Sequence, residues 1–398
     1  MKSLLVLFML GQQAFADDLP RLIREVSEGV TPSVTCDAET CRDVVAAVCR
    51  PANPQTQLNS ITADVNRRFP RPRQNASLTV QRTSAMPRFA AAEAAVFQRS
   101  PASRSELSAL VEESRVNMVA MVEANTYIPA DKKLLMIQKL RDVKVFFTAA
   151  EFIADKAAMR MRTNPQRGLE WSTNRAFEEY TDKCQDHGLE VNAVNVGNIG
   201  ICPGLIASLV DRTTSKTELL NAISFTLGHE MSHSIGPQDF PEVYTRLGEC
   251  YNTLSGNPQF WNGDGSGSSE GKGRASRQVK QAASSGKPTG PAPAAPANGG
   301  EEGPSGPDPM AEETTADWWG GQILAGRIRA QNLQGNEVIR TVGNATDGLC
   351  DSDEGGGYTS GNNRIGLSIL RAPGMRESVG CQVPEAESRS CGLNGVQN

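Results

Sequence analysis

The sequence predicts an α+β fold, and three observations predict it. From about Asp43 to Cys184, apolar residues recur at intervals of three and four within Ala-, Glu- and Lys-rich segments, the period of amphipathic helices. From Gly188 the pattern switches to alternation, with Leu189, Val191 and Ala193 between polar residues, as in a half-buried strand. Two further helical stretches, Ser215 to Ile235 and Met310 to Gln331, flank a low-complexity segment. The expectation is a mainly helical N-terminal lobe over 17–185, then an α+β domain over 186–398 carrying a disordered insertion at about 262–309.

The chain opens with a secretory signal pattern over 1–16. Lys2 supplies the positive start, Leu4 to Leu10 a short apolar run, and Ala14-Phe15-Ala16 a small-residue cleavage site, so the mature chain starts at Asp17. Nothing later approaches the roughly 18 to 20 continuous apolar residues of a membrane span, so no transmembrane anchor is expected. These features predict a secreted or periplasmic protein. All nine cysteines follow the signal, which in an exported chain argues for disulfides, with at least one thiol left over by the odd count. The net charge of -5, with Lys and Arg scattered, excludes a nucleic-acid footprint.

In the helical lobe the clearest segments are Ala90 to Phe97, Ser105 to Ala124 and Asp131 to Met161, and the apolar run Val143 to Ile153, with Phe146, Phe147 and Phe152, reads as core at helical spacing. Next, Gly197-Asn198 and the apolar run Ile199 to Ile206 complete a β-hairpin. Ser215 and Glu218 form a capping box at the head of the following helix. Its stripe is Leu219, Leu220, Ile223, Leu227 and Met231, and Gly236-Pro237 ends it. The Gly/Ser and Pro/Ala/Gly composition from Gly263 to Pro309 cannot bury enough apolar surface to offset the entropy of ordering. After Cys350 the tail is loop-rich.

The chemistry concentrates on His229-Glu230-Met231-Ser232-His233. Two histidines four apart on a helix share a face and can both reach one tetrahedral cation, while Glu230 projects beside them to accept a proton from water. A bound cation of this kind brings the pKa of water toward roughly 7. The chain has only three histidines and two of them are here, which argues against a packing role. A hydrolytic site of this type needs a third protein ligand. Glu313 and Asp317, also four apart, open the later helix: Glu313 is a candidate to complete the set and Asp317 to hold one histidine by its second ring nitrogen. The alternative for both acids is favourable charge at a helix N-terminus.

Leu227-Gly228-His229-Glu230-Met231-Ser232-His233 and Glu313-Thr314-Thr315-Ala316-Asp317-Trp318-Trp319-Gly320-Gly321 together resemble the zinc helix and the third-ligand segment of the neprilysin and endothelin-converting-enzyme family of gluzincin metallopeptidases. The resemblance implies a gluzincin (thermolysin-like) zinc domain with one Zn2+ held by His229, His233 and Glu313, and with Asp317 orienting. Val191-Asn192-Ala193, followed by a turn and Ile201-Cys202-Pro203-Gly204, is similar to the family's substrate strand. It implies that Asn192 and Ala193 hold an extended peptide through main-chain hydrogen bonds. The region from Arg364 to Cys391 resembles the family's closing segment and implies that Arg364 donates to a substrate carbonyl. The resemblance extends to the cysteines and implies bridges Cys36 with Cys41, at the family's first-disulfide spacing, and Cys250 with Cys391.

The chain departs from the family in being much shorter and in having Val194 where the family has an aromatic. No histidine follows His233 to stabilise an oxyanion, and Tyr358, at about the matching distance before Arg364, is the candidate phenol for that role, a loop tyrosine otherwise. The expected function is zinc-dependent hydrolysis of a peptide or protein substrate, with Glu230 as general base. Two rivals stand beside it: a catalytically degenerate homologue that keeps zinc, and a binding or envelope-associated protein working through its N-terminal lobe.

Overall fold

The computed structural model describes residues 36, 43–49, 56–69, 71, 75–185, 189–255, 309–350, 361–381 and 389–397. The signal pattern, Cys41, His187, Tyr358 and all of the 262–309 segment but its last residue lie outside them. The described chain is mostly helical with small sheets. No described helix is long and apolar enough to cross a membrane.

The first five helices are α1 (Val44–Val48), α2 (Thr56–Arg68), α3 (Leu78–Arg99), α4 (Arg104–Ala124) and α5 (Ala130–Asp142). Their starts are written in the sequence. Ser103 accepts from the backbone of Glu106 while the Glu106 carboxylate accepts from Ser103, a reciprocal capping box that satisfies two otherwise orphaned donors of α4. The α4 stripe Leu107, Leu110, Val111, Met118 and Val122 is buried as its spacing requires.

The expected helix from Asp131 to Met161 is broken. Val145–Phe146 form a strand, β1, between α5 and α6 (Ala149–Thr163). Val143 and Val145 are β-branched and Phe146 and Phe147 aromatic, residues that fit a pleated surface. Thr148 then caps a new helix by accepting from Glu151 N. A short 3-10 turn (Pro165–Arg167) leads into α7 (Gly168–Cys184).

The hairpin forms as β2 (Ala193–Asn195) and β3 (Ile199–Ile201), turning through Gly197 at φ +90°. The apolar run does not continue the strand to Ile206, because Pro203 takes a first-turn position of α8 (Pro203–Arg212). The sheet order is β1-β3-β2, with β3 parallel to β1 and antiparallel to β2. β2 is therefore an edge. Cys202 N donates to Asn192 O at 3.2 Å and Val196 N to Asn198 O at 3.3 Å, so the even-numbered residues bond toward β3. By the two-residue period of the ladder, the backbone groups of Ala193 and Asn195 face the open edge.

After α8 come α9 (Lys216–Ser232), a 3-10 turn (His233–Ile235), α10 (Pro241–Ser255), α11 (Pro309–Ala330) and α12 (Asn336–Cys350). The chain closes with α13 (Gly361–Asn363), a π-helical turn (Arg364–Ile369), α14 (Met375–Val379) and the hairpin β4 (Ser390–Gly392) and β5 (Gly395–Gln397). At the head of α9, Ser215 Oγ accepts from Glu218 N, but the Glu218 carboxylate reaches past Ser215 to Thr214 N and Oγ at 2.6 and 2.8 Å.

The largest apolar cluster draws on both halves of the chain, uniting Leu107, Met118 and Ile137 with Ile199, Ile201, Ile223, Leu227, Met231 and Trp319. A second joins α1 to α11, α12 and the π-helical turn, and a third packs Phe89, Phe152, Phe177 and Tyr180 under Val194. Each such large apolar side chain contributes about 1.5 to 3 kcal/mol on burial. Disulfides join Cys49 to Cys350, Cys184 to Cys202 and Cys250 to Cys391. Cys381 is also disulfide-bonded, Cys36 is buried, and the implied Cys36–Cys41 pair includes a residue outside those described.

Candidate metal centre

The centre lies between α9 and α11, which run antiparallel and cross at glycines. A Cβ on Gly228 would meet Gly320 Cα at 3.0 Å, and one on Gly320 would meet Phe225 O at 2.7 Å. A Cβ on Gly321 would meet Ser368 O at 2.9 Å, so the neighbouring glycine admits the π-helical turn on another side of α11. The paired glycines thus let three backbone segments close on one point. Trp318 and Trp319 secure the far face, donating from their indole nitrogens to Cys391 O at 2.7 Å and Tyr244 Oη at 3.1 Å. Tyr244 in turn donates to Ile235 O at 2.6 Å, fixing the turn that ends the histidine helix.

Across this crossing His229, His233 and Glu313 converge, with one ligand atom from each lying within 4.8 Å of the others. Glu313 Oε2 is 3.3 Å from His229 Nε2, and Glu313 Oε1 is 4.0 Å from His233 Nε2. Three ligands about 2.1 Å from one tetrahedral ion stand roughly 3.4 Å apart, so the set fits a single cation with a small contraction. Each outer ring nitrogen meets its own acid. His229 Nδ1 is 3.0 Å from Asp317 Oδ1, and His233 Nδ1 is 3.1 Å from Glu312 Oε1. Asp317 has no exposed surface, and Arg364, 6 % exposed, grips it with Nε on Oδ2 at 2.5 Å and Nη2 on Oδ1 at 3.0 Å.

The charges explain the titration of the site. Burial alone would lower the basicity of His229, but Asp317 and Glu313 against its two nitrogens raise it to about 10. Burial pushes Glu313 up, and the hydrogen bond and charge of His229, with the charge of His233, bring it below the ordinary glutamate value. Burial likewise pushes Asp317 up, and the charge of Arg364 followed by the contact with His229 holds it low. Glu312, Glu313 and Asp317 contact the two imidazoles, Glu230 adds its charge at His229, and Arg364 pairs with Asp317 and Glu313, an acidic surround that suits a divalent cation.

The sequence-selected residues are placed unevenly. His229, Glu230, His233, Glu313, Asp317 and Arg364 are brought together. Ala193 lies on the edge strand. Asn192, exposed, turns its Oδ1 to accept from Ala193 N at 2.8 Å. Cys250 and Cys391 tie α10 to β4, beside Trp318. Tyr358 lies outside the described residues.

Sequence reasoning missed three residues. Asn195 Nδ2 donates to the backbone carbonyl of Glu230 at 2.6 Å and Asn195 Oδ1 accepts from Gly197 N at 3.2 Å, linking the edge strand to the histidine helix. Its signal was its place two residues after Ala193, on the same edge by strand parity. Glu312 is adjacent to Glu313 in sequence but meets His233, and Gln238, which donates to it, carries no sequence signal. The chain matches no protein-family model and no curated protein, so the centre is read from its own residues.

Proposed function

We propose that the chain is an exported zinc-dependent peptidase of gluzincin type, acting on a peptide or protein substrate. The observation that carries this reading is the convergence of His229, His233 and Glu313 beside Glu230, with the open edge of β2 tied to the same helix through Asn195. Two imidazoles and a carboxylate are a donor set suited to zinc, and His229, His233 and Glu313 would hold it. Zinc in this site supplies Lewis acidity, polarising a carbonyl and making water acidic near neutral pH.

The chain's own residues do the rest. An extended peptide pairs with the outward backbone groups of Ala193 and Asn195, once Asn192 releases the Ala193 N–H it occupies. Glu230 accepts the proton of the attacking water and passes it to the leaving amine. Asp317 holds the ring of His229 by Nδ1. Arg364 neutralises Asp317, and its Nη2, 3.7 Å from Glu313 Oε2, stands on the ligand side, where it donates to a substrate carbonyl.

Metal content and cleavage of a quenched peptide library test this together. Wild type is expected to hold one zinc and to cleave, Glu230→Gln to hold zinc and not cleave, and Glu313→Ala to lose both. A second reading, zinc binding without turnover, is favoured by the absence of any histidine after His233. Full zinc occupancy with no cleavage by wild type would establish that reading and sink the peptidase.

A further inference from the structure

His229 lies inside α9, whereas His233 is its C-cap residue and opens the 3-10 turn, its backbone still right-handed helical at φ -59° and ψ -22°. The outer nitrogen of His233 meets a support from α11: Glu312 Oε1 lies 3.1 Å from His233 Nδ1, and Glu312 Oε2 accepts from Gln238 Nε2. Both oxygens are thus engaged away from the Nε2 atoms, which Glu313 faces.

Gln238 is itself held in place. It sits in a turn where Gly236 O accepts from Asp239 N at 3.2 Å and Phe240 N at 3.1 Å. The Asp239 carboxylate pairs with Lys139 of α5 at 2.8 Å, and the Phe240 ring is fully buried. The amide therefore reaches Glu312 from a fixed base, as Arg364 reaches Asp317 from the π-helical turn.

We infer that Glu312, held by Gln238, is a positioning residue that fixes the ring and tautomer of His233, an assignment resting on the metal-centre reading above. With its Nδ1 proton donated to Glu312, His233 presents the Nε2 lone pair to the cation. The two supports differ in charge. Arg364 pairs with the acid behind His229, while a neutral amide backs the acid behind His233. A carboxylate that merely favoured the N-terminus of α11 would affect stability and leave metal affinity alone.

The test measures zinc affinity of the full chain by competition with a chromophoric chelator. Glu312→Ala is expected to bind zinc about 10- to 100-fold more weakly than wild type. Glu312→Gln keeps an acceptor oxygen without the charge and is expected to lose less, and Gln238→Ala to lose a few-fold. Long-range proton–nitrogen spectra of the three-histidine chain should show one His233 tautomer in wild type and a mixture in Glu312→Ala. Should Glu312→Ala fail to fold, Glu312→Gln and Gln238→Ala carry the comparison. Zinc bound as tightly by the variants as by wild type overturns the assignment alone. A wild type that binds no zinc removes the metal centre and the assignment with it.

Discussion

Replacing Arg364 distinguishes a buried counter-ion from a residue that only touches substrate. Arg364→Ala leaves the fully buried Asp317 with one partner, His229 at 3.0 Å, after loss of the two guanidinium bonds at 2.5 and 3.0 Å. Two charge-assisted hydrogen bonds at about 1.5 to 3 kcal/mol each amount to roughly 3 to 6 kcal/mol. Removing one partner of a buried ion pair independently gives about 3 to 5 kcal/mol, since the remaining charge is left uncompensated. The expected destabilisation is therefore about 4 kcal/mol. The double variant Asp317→Asn with Arg364→Met should recover about 2 kcal/mol of it, because no charge is then stranded. Guanidinium unfolding of the metal-free chain at neutral pH reads all three directly. An Arg364→Ala chain within about 0.5 kcal/mol of wild type, with a raised KM as its one defect, would refute the counter-ion argument.

Other sites give sharper or milder effects. Gly320→Ala puts a Cβ 2.7 Å from Phe225 O, a backbone atom that cannot step aside, and should cost about 1 to 3 kcal/mol and weaken zinc binding. Gly326→Ala on the same helix meets nothing within 4 Å and should stabilise by up to about 1 kcal/mol; similar losses at both positions in urea melts would contradict the close-crossing account. Glu93, 9 % exposed, accepts from Ala149 N, and burial raises its carboxyl to about 7. Its folded pKa lies above the unfolded value, so stability present below pH 4.5 should fall by up to about 3 kcal/mol as pH rises to 7. Glu93→Gln should flatten that slope, and parallel slopes for the two proteins would count against the assignment. Asn195→Asp removes the donor to Glu230 O and sets two acceptors face to face; about 10-fold slower cleavage at unchanged zinc content is expected, and unchanged kcat with unchanged KM would show that the link is idle.

What could be read from the sequence was what rests on local period and spacing. The α9 stripe, its Ser215 cap and its Gly236-Pro237 stop needed only neighbours along the chain, and the i,i+4 rule placed His229 with His233 and Glu313 with Asp317. β1 was hidden because Val145 and Phe146 lie within a run whose apolar spacing also suits a helix; the parallel partner that decides the matter is more than 50 residues away in β3. The same limit hid Glu312 and Gln238, since each is defined by a contact across 70 or more residues. The Cys49–Cys350 and Cys184–Cys202 pairs were equally illegible, because spacing alone does not choose among the possible connectivities.

The bridge between Cys49 and Cys350 also imposes a schedule. Its two ends are 301 residues apart, so a chain entering an oxidising compartment N-terminus first presents the Cys49 thiol tens of seconds before its partner, at about 5 to 20 residues per second of synthesis. During that wait Cys184 and Cys202, only 18 residues apart, arrive together and can be captured in the wrong combination with Cys49. α1 can be pinned onto α12 by this bridge only after nearly the whole polypeptide has emerged.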